Sequence, residues 1–181
     1  MLHHRIESKQ HNVGFTLVEL MITLAVAAIL ATAAVPSFIS MIASNRVTSA
    51  SNELVTALNL AKSEAVRSGQ STRLCKTDSC NAEGSWGDGW ILFNDANGDG
   101  KKSDGEQIIR VHAAPDPSLA FQFNSGNSIE FRPNGRTNEL GSFCFRNSHQ
   151  NDNSRAVSIT LVGRIQTKVV TLSDDTCTLP T

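Results

Sequence analysis

The pattern of apolar and polar positions along the chain divides it into three regimes. A polar stretch, Met1 to Gly14, runs into an almost unbroken apolar run from Phe15 to Val35. Those 21 residues make about 31 Å of helix at ~1.5 Å per residue, the thickness of a ~30 Å hydrocarbon core. Small and β-branched side chains in the run (Thr23, Ala27, Ala28, Ala31, Ala34) allow close packing between helices in a membrane. Pro36 then removes one backbone donor, so a kink or local loosening is expected there. After Arg46 the pattern turns amphipathic. Val47, Ala50, Leu54, Leu58, Ala61 and Ala65 recur at three- and four-residue steps, with Asn52, Glu53, Asn59, Lys62 and Ser63 off that stripe. Gly69 is a fair C-terminal cap. One helix of about 50 residues is predicted, apolar all round in its first half and apolar on one face in its second.

From Ser71 the period shortens to two. Phe121/Phe123, Ile129/Phe131 and Phe143/Phe145 alternate with polar residues, the signature of half-buried strands. Strands are predicted at Ser71–Leu74, Trp90–Phe93, Gln107–Val111, Ala120–Phe123, Ser128–Arg132, Gly141–Phe145, Ala156–Leu161 and Ile165–Leu172. Cys75 to Gly89 reads as a loop or hairpin, and Asn94 to Gly105 as a polar Gly/Asp loop. The expected fold is α+β: a long N-terminal helix, 15–69, packed by its amphipathic half on an antiparallel sheet in a head spanning 70–181. No tandem repeat or low-complexity linker interrupts the head.

Composition changes this picture little. The chain has 181 residues and a formal net charge of −1, which gives no general case for a nucleic-acid partner. Charge is uneven, however. Lys76 to Glu130 is net acidic, while Phe131 to Lys168 carries six basic residues against Glu139 and Asp152. The C-terminal half would therefore be the face for an anionic partner, if there is one. The four cysteines suggest disulfides in an exported segment, and four allow three pairings. Cys75 and Cys80 are close enough to clip one loop, in which case Cys144 and Cys177 tie the chain end back to a strand. A cysteine metal site fits poorly, because C-x2-C spacing is absent and histidines are few.

Glu19 is the position that needs a special explanation. It is the only charged residue between Lys9 and Arg46, and a carboxylate near a bilayer centre costs roughly 2.5–3.5 kcal/mol on insertion scales. A cut after Gly14 would expose an α-amine on Phe15, with a pKa of ~8, as a neutralising partner. The string Gly14-Phe15-Thr16-Leu17-Val18-Glu19-Leu20 resembles the processing site of type IV pilins and type II secretion pseudopilins. That resemblance implies a leader, 1–14, removed by a prepilin peptidase, methylation of Phe15, and retention of Glu19 for subunit assembly. An ordinary secretory peptide would place its cleavage site after the apolar region, whereas Gly14 precedes it.

Two further segments extend the resemblance into the head. Phe131-Arg132-Pro133-Asn134-Gly135-Arg136 and Val162-Gly163-Arg164 resemble the landmarks of GspH/FimT-type heads. The stretch from Trp90 to Val111 is similar to FimT- and FimU-like minor pilins. The implied protein is a non-enzymatic minor pilin, held by a single span in the inner membrane with its head in the periplasm. It would prime or cap a type IV pilus at or near the tip. A type II secretion pseudopilin of the H type is the alternative. The implied partners are other minor pilins, the major pilin, the peptidase and an inner-membrane assembly platform. Some FimT-like proteins bind DNA through a G-R-x-R turn. Here Gly163 and Arg164 match, the second Arg is Gln166, and Lys168 and Arg136 are the remaining candidate phosphate contacts.

Without the leader, the histidines are His112 and His149, neither in a catalytic motif, and G-x-S-x-G, P-loop and H-E-x-x-H strings are absent. The segment Asp95-x-Asn97-x-Asp99-Gly100-x5-Glu106 does satisfy the D-x-[DN]-x-[DN]-G-x5-E string of a calcium loop. Short oxygen side chains at positions one, three and five, a Gly for the turn and a late Glu suit a hard cation. Lys102 stands where such loops place an apolar residue, and a hairpin loop rich in turn formers accounts for the same residues.

Overall fold

The computed structural model describes residues 14–76, 80, 84–147 and 150–170. The chain forms two units, Met1–Ile39 and Ser40–Thr181. Within the first, residues 14–39 are all exposed. They carry the apolar start of α1 (Leu17–Ser68), which runs through Pro36 as one helix. Gly69 ends the helix as expected, with a φ of 70° and an N–H that reaches the Ala65 carbonyl at 3.1 Å.

In the second unit the stripe read from the sequence is the buried one. Val47, Leu54, Ala57, Leu58, Ala61 and Ala65 of α1 join one hydrophobic core, and Ala50 packs against it. The predicted strands are present as β1 (Ser71–Lys76), β2 (Gly89–Asp95), β3 (Ile108–Ala113), β4 (Leu119–Phe123), β5 (Ser128–Phe131), β6 (Gly141–Asn147), β7 (Gln150–Ile159) and β8 (Ile165–Val170). They form two four-stranded sheets, in the orders β3-β2-β1-β5 and β4-β6-β7-β8, and every named pair is antiparallel. The expectation of a single sheet face beneath the helix is thus refined. The core takes Leu74, Trp90, Leu92, Ile129 and Phe131 from the first sheet. From the second it takes Phe121, Phe143, Phe145, Val157 and Ile159.

Aromatic pairs hold the second sheet in register. Phe121 lies opposite Phe145 and Phe123 opposite Phe143, with ring centroids 4.4 and 4.2 Å apart. Trp86 meets Phe143 edge-on at 5.0 Å, a geometry favoured by ring quadrupoles. Trp86 is presented by a single 3-10 turn, Trp86–Asp88, capped reciprocally by Ser85 and Asp88. The turn falls within Cys75 to Gly89, expected as a loop or hairpin, and its Ser85-x-x-Asp88 spacing is that of a capping box.

The outer face of the first sheet carries a polar network. Arg73 donates to Asp95 Oδ2 at 3.0 Å, Ser128 Oγ at 3.2 Å and Glu130 Oε2 at 3.3 Å, linking β1, β2 and β5. On the same face Cys75, Ile91 and Phe93 form a small apolar cluster with Cys80. Cys75 and Cys80 are disulfide-bonded, as expected, with Cα atoms 4.9 Å apart. Cys144 is also disulfide-bonded. Cys177 lies outside the described residues, so the pairing of Cys144 with it is not placed.

Candidate functional site

The bond expected to be cut, between Gly14 and Phe15, sits immediately before the helix. Gly14, Phe15 and Thr16 precede Leu17, the first helical residue. A Cβ on Gly14 would meet nothing within 4 Å, and Phe15 is 84% exposed. The bond between them lies in open, non-helical chain. Thr16 caps the helix: its Oγ1 accepts the Glu19 N–H at 3.2 Å, and its carbonyl accepts the Leu20 N–H at 3.2 Å. Glu19 therefore stands in the first turn, where the positive end of the helix dipole favours a carboxylate. The spacing Thr16-x-x-Glu19 could have shown this cap from sequence alone.

The two basic landmarks of the head come together, and they are the same device. In each, a hairpin turn is closed by one bond inward and one outward. Gly135 N–H bonds Arg132 O and Arg132 N–H bonds Arg136 O, both at 2.8 Å. Gly163 N–H bonds Thr160 O at 2.7 Å and Thr160 N–H bonds Arg164 O at 3.1 Å. Both glycines have positive φ, 73° and 70°, as a three-residue hairpin loop requires of its last residue. The turns abut so closely that a Cβ on Gly163 would stand 2.1 Å from the Gly135 carbonyl oxygen. Lys62 of α1 donates to Gly163 O at 2.9 Å, and the Thr137 N–H bonds Leu161 O at 3.2 Å.

This contact sets Arg136 and Arg164 on adjacent turns, both exposed, each directly after its buried glycine. Strand alternation places Gln166 and Lys168 of β8 on one face, opposite Ser158 and Ala156 of β7. Arg164 immediately precedes β8 and is bound to that face, because the Gln166 amide, its oxygen turned toward Arg164, accepts from Nε at 2.7 Å and Nη2 at 3.1 Å. Lys168 is exposed.

The Asp95–Glu106 loop is knitted together by its own hydrogen bonds. Asp95 Oδ2 accepts the Gly100 N–H at 3.1 Å. Glu106 takes the Ala96 N–H at 3.0 Å and the Ser103 N–H at 2.9 Å. Asp99 accepts the Lys101 N–H at 2.8 Å, and this bond, chiefly, holds its carboxyl below the ordinary aspartate value. Among the described residues no three His, Cys, Asp or Glu side chains are gathered as a metal centre.

With this geometry in hand, comparison with known proteins assigns the chain. The family model described as Type II transport protein GspH matches residues 50–163. The chain belongs to the GspH family. A second family model, the prokaryotic N-terminal methylation motif, matches residues 14–35 of this GspH-family protein. Among solved structures, the fold is similar to the type IV minor pilin FimU of Pseudomonas aeruginosa. Identity is 24% and the TM-score 0.57, over 74% of this chain and 96% of that one. It is also similar to the minor pseudopilin EpsH of the type 2 secretion system of Vibrio cholerae. There identity is 12% and the TM-score 0.54, over 68% of this chain and 97% of that one. A search of curated proteins gave no match. GspH-family membership, the methylation motif and the shared fold place the chain in the minor pilin and pseudopilin class.

Proposed function

We propose that this protein is a minor pilin of a type IV pilus, priming or capping filament assembly at or near the tip. The observation that carries the reading is the start of α1. An accessible Gly14–Phe15 bond is followed by a capped helix with one acid in its first turn and 0% burial of its most apolar stretch. An apolar surface of that extent needs a membrane or neighbouring helices to cover it. Prepilin peptidase would cut after Gly14 and methylate Phe15. The helix would anchor the subunit in the inner membrane, with the head in the periplasm, until an assembly platform passes it to other minor pilins and the major pilin. In the filament, Glu19 would pair with the terminal amine of a neighbouring subunit, a pairing that sets register in low dielectric. The work is structural and needs no catalytic group.

The mass and N-terminal sequence of membrane-extracted protein test the first step. The expected product begins at methylated Phe15, and Gly14→Val yields the longer, uncut chain. Glu19→Ala is expected to be processed but to enter filaments poorly. Normal incorporation of that variant would sink the pairing. The H-type secretion pseudopilin uses the same chemistry, and the likeness to EpsH supports it equally at the level of fold. Its prediction is that deletion blocks protein export rather than piliation.

The abutting turns support a second role, pilus-associated DNA binding during natural transformation. Arg136 and Arg164 offer exposed cations at the Gly135–Gly163 contact and Lys168 a third farther along β8, and phosphate recognition needs such cations. A gel-shift titration of the full chain in detergent checks this. Arg164→Ala is expected to weaken binding and lower the salt slope by about one; binding indifferent to that change removes the site.

A further inference from the structure

We propose that the loop from Asp95 to Glu106 is a calcium site. Its string matches a twelve-residue calcium loop, but a cluster of acids is common on surfaces and does not make a site. The observation that does point to a cation is at position one. Asp95 is 2% exposed, and its Oδ1 is buried without a hydrogen-bond partner, while Oδ2 is taken by Gly100 N–H and Arg73 Nε. A buried carboxylate oxygen left without a donor is destabilising, because it loses its hydration without compensation. A cation bound there would remove that cost.

The frame around this oxygen supports the reading. Pairing of β2 with β3 brings the two ends of the loop together, with Asn94 N–H on Gln107 O at 3.0 Å. Glu106, position twelve, holds the Ala96 N–H, so its carboxylate lies at the same root as Asp95. Gly100, position six, has a φ of 77° and supplies the sharp turn that such loops place there. The Asn97 amide nitrogen donates to Asp99 Oδ2 at 2.9 Å and Ser103 Oγ at 3.5 Å. It thus holds together the oxygens of positions five and nine, which a calcium ion would draw to itself. Binding requires that amide to withdraw and present its oxygen instead. Asp95 Oδ1, Asn97 Oδ1, Asp99, the Lys101 carbonyl and Glu106 would then be the ligands, with Ser103 reached directly or through water. Arg73, whose guanidinium lies beside Gly100, would remain on Asp95 Oδ2 and hold the carboxylate in place.

Charge sets the affinity. Asp95, Asp99, Asp104 and Glu106 face Lys101 and Lys102 within the loop, and Arg73 already offsets Asp95. Such a weakly charged site belongs with extracellular modules, with a Kd on the order of 10⁻⁴–10⁻³ M.

The test is calorimetric titration of the full chain in detergent, stripped of metal, with calcium chloride alone and magnesium chloride in parallel. One calcium per chain is expected in that range, weakened roughly tenfold or more by Asp99→Asn and by Glu106→Gln. Asn97→Asp adds a ligand charge and is expected to tighten binding severalfold, a gain that misfolding cannot imitate. The proposal is overturned by no saturable heat up to about 10 mM calcium. It is overturned equally by heat that all three substitutions leave unchanged, or by magnesium binding as tightly as calcium.

Discussion

Single residues decide how the head closes, and Gly163 shows it best. Its positive φ costs an L-residue about 1–2 kcal/mol, and its missing Cβ admits the Gly135 carbonyl. Gly69 has the same φ of 70° but nothing within 4 Å of the Cβ position. Gly69→Ala is therefore expected to cost about 1 kcal/mol and Gly163→Ala about 3 kcal/mol or more, since backbone must move in the second. Thermal midpoints of the two variants separate the contributions, and equal shifts would show that the turns do not depend on each other. Gly163 and Arg164 were visible in the sequence as a turn. That the turn is braced by Gly135 and Lys62 was not, because Lys62 and Gly163 are 101 residues apart.

At the scale of elements, most of the architecture was legible because its signals are local. The stripe from Val47 to Ala65 repeats within one helix, and Phe121/Phe123 or Phe143/Phe145 alternate within one strand. Boundaries moved where local signals were weak. The seventh strand was expected at Ala156–Leu161, but it starts earlier and ends at Ile159. Thr160 and Leu161 turn instead, drawn by the bonds to Arg164 and Thr137. The division of the strands into two sheets depends on which strand pairs with which, and alternation is silent about partners. The Cys75–Cys80 bond joins β1 to the loop after it across a separation of 5 residues. In the chain-entropy account a loop so short stabilises by about 2 kcal/mol. Replacing both cysteines with serine should lower stability by that amount, read by denaturant unfolding. A loss much larger than this would mean that the bond also holds the Cys75, Ile91 and Phe93 cluster together.

For the whole molecule, acid tests the surface carboxylates. Glu64 is held below its ordinary value of 4.5 chiefly by its hydrogen bond with Arg67. Asp116 is held below 3.8 chiefly by the Ser118 hydroxyl and N–H, and Asp99 below 3.8 by the Lys101 N–H. A depressed carboxylate contributes stability that is fully present above its unfolded value and lost as pH falls through the lower folded one. The thermal midpoint is expected to lose these contributions only below about pH 4.5. Glu64→Gln, Asp99→Asn and Asp116→Asn combined should flatten that acid arm. An unaltered slope would place the acid sensitivity in other groups.

The order of residues alone determined the long helix, its apolar and amphipathic halves, most of the strands and the Gly14–Glu19 segment, because each is written within a few turns of chain. The tertiary structure alone decided that two Gly-Arg turns abut, that Arg73 ties three strands, and that one oxygen of Asp95 is buried without a donor. These are meetings of residues distant in sequence, and packing, not local propensity, brings such residues together.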